Sequence, residues 1–121
     1  MTALSKAQIL QIVDIKTERV AVPEWGGDVM VREFTGTDRD AFEESMVRID
    51  ADGGRRADVS NMRAKLVSMC LIDEETGERM FGQDELNLLG SKSASALERV
   101  FKVCQRINGM TVAEVQAAEK N

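Results

Sequence analysis

The sequence predicts an α+β fold that is mostly α-helical, an N-terminal β-hairpin with about four to six short to medium helices in one compact domain. Three observations predict it. Met62, Leu66, Met69 and Cys70 recur at helical steps, as do Leu97, Val100, Phe101, Cys104 and Ile107, and a period near 3.6 residues lays such sets on one helix face. Between Thr17 and Phe34 the pattern changes to alternation: Val20 and Val22 stand against Arg19 and Ala21, then Val29 and Val31 resume it after Pro23, Gly26 and Gly27. Finally, 121 residues of which 43% are hydrophobic and 31% charged suffice for one domain and not for two of ordinary size.

The elements follow in order. Ser5 and Gln8 form a capping box ahead of Ile9, Leu10, Ile12 and Val13, predicting a short helix over Lys6 to Val13 that is marginal in isolation. With the hairpin it makes an N-terminal region over residues 5–34. A helical region over 37–109 comes next. Thr37 reads as an N-cap, with Asp38 and Asp40 set against the positive end of a helix running through Phe42, Met46 and Ile49. Asp50 to Asp58 is the most polar and glycine-rich stretch and reads as a mobile loop. A third helix is expected over Val59 to Leu71. Leu71 to Asp73 and Arg79 to Phe81 then make a small second hairpin, with Gly77 supplying positive φ. A two-turn helix over Gln83 to Leu89 stops at Gly90, and the longest helix, Lys92 to Asn108, stops at Gly109. Thr111 and Glu114 form another capping box, giving a tail helix over 111–121.

Composition excludes several functions. A net charge of -5 argues against nucleic acid, since Arg55 and Arg56 are the only adjacent basic pair. No apolar run approaches the roughly 18 residues that span a bilayer, and the N-terminus lacks a secretory pattern, so the protein is expected in cytoplasm. The absence of histidine removes Ser/His and Cys/His pairs and imidazole metal ligands. The carboxylates Asp38, Asp40, Glu43 and Glu44, then Asp73, Glu74, Glu75 and Glu78, sit in solvated-looking runs rather than in a cleft that would shift a pKa. No catalytic residue, cofactor or metal is expected.

Smaller motifs resolve the same way. Trp25-Gly26-Gly27 lacks the Gly-Lys-Ser/Thr of a phosphate cradle and reads as a turn. Asp50, Asp52, Gly53 and Gly54 resemble the start of a calcium loop, but Asn61 stands where the twelfth-position Glu belongs. Cys70 and Cys104 both fall on apolar stripes and read as buried small hydrophobes. The seven methionines suit either an irregular core or an adaptable partner surface, and Met62 and Met69 fall on the core side. Trp25 reads as a cap on the core or as an exposed anchor.

The segments VPEWGGDVMVREFTGTDRDAFE, NMRAKLVSMCLIDEETGERMF and LGSKSASALERVFKVCQRINGMT resemble the tail assembly chaperones of long-tailed bacteriophages. The likeness spans roughly Leu4 to Glu114 and is most specific at Val22 to Gly27, Thr35 to Glu43 and Leu97 to Gly109. It implies a non-enzymatic assembly factor, absent from the finished particle and kept in the host cytoplasm. Such a factor binds the tape measure protein, keeps it soluble and helps bring tail tube protein subunits to it. It also implies a longer product made by ribosomal frameshifting, for which Glu119-Lys120-Asn121 could supply a slippery A-AAA-AAC heptamer. Apolar or Met-bearing surface is expected to make the contact, with Trp25, Met30 and Phe34 of the hairpin as candidates, and self-association is left open. The alternative is a structural head-tail joining or tail completion protein of the virion.

Overall fold

The computed structural model describes residues 2–110; the tail helix expected over 111–121 lies outside them. β1 (Thr17–Val22) and β2 (Gly27–Arg32) pair antiparallel, from Thr17 with Arg32 to Val22 with Gly27. A 3₁₀ turn at Pro23–Trp25 joins them, and Gly26 takes φ +72° at the bend, a conformation glycine adopts without strain. β5 (Leu71–Ile72) adds to β2 as a third strand, Val31 opposite Leu71. The pleat turns Val20, Val22 and Val31 to one face, and each is nearly inaccessible to water.

α3 (Met62–Cys70) buries Ala64, Leu66, Val67 and Cys70, and α5 (Ala94–Ile107) buries Leu97, Val100, Phe101 and Cys104. α5 packs on that face of the sheet and α3 packs against α5, so that both helices complete one core with the sheet. Both apolar stripes predicted from spacing therefore line the same core. α2 (Gly36–Ser45) adds Phe42 beside Met46, and α4 (Leu86–Gly90) adds Leu89. Cys70 and Cys104 are both fully buried free thiols, and Met62 and Met69 pack against the core.

The ends of α5 show how sequence sets an element's limits. Ser93 caps its start, its Oγ accepting the Ala96 N–H at 3.4 Å. At the other end the Gly109 N–H donates to Arg106 O at 3.1 Å and the Met110 N–H to Gln105 O at 2.8 Å, with Gly109 at φ +66°. This paired bonding satisfies carbonyls the helix leaves over, and Met110 packs back on the core. The turn after β5 is also as expected: Gly77 takes φ +74°, the Asp73 N–H donates to Glu78 O at 2.8 Å, and Ile72 bridges Arg79.

Four expectations are corrected. The cap of α2 is Thr35, not Thr37: Thr35 Oγ1 accepts the Asp38 N–H at 3.1 Å and Asp38 Oδ2 accepts the Thr35 N–H at 3.2 Å, a reciprocal box built with aspartate. α2 ends at Ser45, whose carbonyl is taken by Lys65 Nζ at 3.1 Å, and does not reach Ile49. Instead β3 (Val47–Ile49) pairs with β4 (Arg55–Ala57), so the stretch expected to be a mobile loop is a second ribbon turned at Gly53, φ +86°. α3 starts at Met62 rather than Val59, because Asp58 accepts both the N–H and hydroxyl of Ser60 and Asn61 lies at φ +53°.

Candidate functional site

The N-terminal helix, α1 (Lys6–Gln11), forms for local reasons: the Gln8 N–H donates to Ser5 Oγ at 3.2 Å and the Ser5 N–H to Gln8 Oε1 at 2.8 Å. It stops two residues earlier than expected, where Ile12 turns extended. No residue of α1 is buried. Around it stand Leu4 (60% exposed), Ile9 (56%), Leu10 (75%), Ile12 (51%) and Val13 (93%). Five of the ten large hydrophobics exposed among the described residues thus lie within one ten-residue arm. Fully covering one such side chain contributes about 1.5–3 kcal/mol, so the arm holds unused binding free energy. Exposed apolar side chains gathered in one arm make it the candidate contact site for another molecule.

The three hairpin candidates do not form one patch. Phe34 is 7% exposed and stacks in the core, its ring centroid 5.7 Å from that of Phe42, so it is a core residue rather than a surface contact. Trp25 is half-buried against the core in the 3₁₀ turn, where Arg99 holds the neighbouring Glu24 through two bonds of 3.1 and 3.3 Å. Met30 is half-buried between its register partners Arg19 and Ile72.

Polar groups are occupied by the fold. Asn108 receives the Phe34 N–H at 2.7 Å and donates to Cys104 O at 2.8 Å and to Cys70 Sγ at 3.6 Å, joining the hairpin, α3 and α5. The Cys104 thiol, hydrogen-bonded with the Cys70 thiol and sealed from water, is pushed far above the ordinary thiol range, which favours its neutral form. The Arg99 bond holds the Glu24 carboxyl below its usual range, and Ser60 does the same for Asp58. Both groups serve turns. Asp52, part of the calcium-like sequence, accepts the Gly54 N–H at 2.9 Å, while Asp50 faces Arg48 and Arg56.

Among the described residues, no group of three or more His, Cys, Asp or Glu is placed to hold a metal ion, and no helix is long and apolar enough to cross a membrane. An open groove of about 360 Å³ between the starts of α3 and α5 is lined by Val59, Met62, Ala64, Ala94 and Leu97. What the arrangement offers is surface for contact. Spacing did not reveal the arm because Ile9, Leu10, Ile12 and Val13 follow no single helical stripe. The available signal was apolar density in a helix too short to have an inner face.

The sequence model of one family, described as phage tail assembly chaperone, matches residues 5–121. No curated protein and no solved structure matches the chain.

Proposed function

The chain belongs to the phage tail assembly chaperone family, and from that premise we propose that it binds the tape measure protein, keeps it soluble and helps recruit tail tube subunits. It acts by covering surface and not by catalysis, in the host cytoplasm, and is left out of the finished particle. The observation that carries this is the arm from Leu4 to Val13, whose apolar side chains find no place in the chain's own core. A long helical tape measure exposes apolar stripes, and laying one helix against another is a recurring mode of recognition. The net charge of -5 then helps keep the complex dispersed. A longer frameshifted product, read through the codons for Glu119 to Asn121, would supply the link to the tube subunits.

Co-expression with the tape measure protein of the same phage is the test. The soluble fraction of the tape measure should rise and the two should copurify; an unchanged soluble fraction rejects the proposal. Mass spectrometry of purified particles separates it from a head-tail joining or tail completion role, which requires the chain in the virion.

A further inference from the structure

The ribbon of β3 and β4 plays no part in the core. Its strands have three residues each, and a lone two-stranded ribbon is marginal in water. The pairing is Val47 with Ala57, Arg48 with Arg56 and Ile49 with Arg55. The Asp58 N–H donates to Met46 O at 2.7 Å and the Asp50 N–H to Gly54 O at 2.8 Å. Bonded and non-bonded pairs alternate along an antiparallel ladder, so Arg48 and Arg56 bond across the ribbon. The N–H and C=O groups of Arg55 and Ala57 therefore point outward from the β4 edge. β3 runs directly on from α2, whereas β4 has no further strand beside it among the described residues.

That open edge is cationic on both faces. Pleating sends the exposed Arg55 and Arg56 to opposite sides. Asp50 is shared between Arg48 at 3.8 Å and Arg56 at 2.5 Å, and Arg55 has no ion-pair partner among the described residues. On the Arg55 face lie Val47 and Ile49, the latter 70% exposed. Charges on an edge strand also serve simply to deter pairing with other chains, but cations deter basic strands and attract acidic ones. We infer that the open edge of β4 receives an extended acidic segment of a partner protein as a third strand. Its backbone bonds to Arg55 and Ala57, and its carboxylates meet Arg55 on one face of the strand and Arg56 on the other.

A fluorescein-labelled peptide repeating Glu-Glu-Val-Val, which carries Glu on both faces of a strand, and its counterpart with Lys for Glu, test this by anisotropy against the full chain. The Glu peptide should bind and the Lys peptide should not, with binding weakened by salt. The double variant R55Q/R56Q should lose roughly tenfold in affinity, as two exposed ion pairs warrant. A57P keeps both arginines and removes an outward N–H without touching the ladder, and should weaken binding as well. Circular dichroism checks that both variants fold. Failure of both peptides to bind, equal binding of the two, or an A57P variant that binds as the parent does would overturn the inference. So would a change of sedimentation in R55Q/R56Q, which would make the occupant a second copy. None of these outcomes depends on the N-terminal arm.

Discussion

Asn108 ties three elements together although it stands at a helix end that sequence marks only as a stop. Its carboxamide satisfies the Phe34 N–H and the Cys104 carbonyl, groups that lose water when α5 closes on the hairpin. Asn108→Ala should therefore cost about 1–3 kcal/mol, read as a lower midpoint in urea denaturation; an unchanged midpoint would mean that water replaces the carboxamide at no cost. Glu24 gives a pH signature. Its folded carboxyl titrates below its unfolded value, so its contribution is fully present above the unfolded pKa and is lost as pH falls through the lowered folded one. Trp25, the sole Trp, sits beside it and should report the release of Arg99 by fluorescence, with a midpoint below the ordinary glutamate range. Glu24→Gln should abolish that transition; its persistence would assign the signal to another group. Cys70 and Cys104 were legible as core because apolar spacing alone placed them there, whereas the burial of Phe34 was not. A single aromatic at the end of an alternating run can face either way until α2 and Phe42 are known to lie against it.

At the scale of elements, the β1–β2 hairpin, α5 and the Gly77 turn were legible because local pattern decides them: alternation, an apolar stripe at helical steps, and glycine where φ turns positive. β3 and β4 were not. Phe42, Met46 and Ile49 satisfy a helical spacing as well as a helix followed by a strand, and only the pairing of Val47 to Ile49 with Arg55 to Ala57, across a polar turn that carries no alternating pattern, breaks the tie. The candidate site was missed for a related reason, since spacing shows which residues share a face and not whether anything covers it. α1 offers the cleanest separation of folding from binding. The double variant Ile9→Asp, Leu10→Asp removes no buried group, so denaturation should shift by no more than about 0.5 kcal/mol. On the proposed function the same variant should no longer hold the tape measure protein in solution. A variant that still does so would move the contact to another surface.

At the scale of the whole molecule, one core built from α3, α5 and the three-stranded sheet carries stability, and two exposed features, the arm and the β3–β4 ribbon, lie outside it. Ion pairs such as Arg99 with Glu24 and Arg106 with Glu18 fasten the hairpin to α5 from the surface, where each is worth little alone and weakens with salt. Residues 2–14 contribute nothing buried to that body. On the proposed function, their sequence is accordingly free to drift with the client they meet, without the rest of the chain having to repack. Transplanting this stretch from a relative serving a different phage should carry that relative's client preference with it and leave the melting temperature where it was. Pull-down of both tape measure proteins with the chimera would read the outcome.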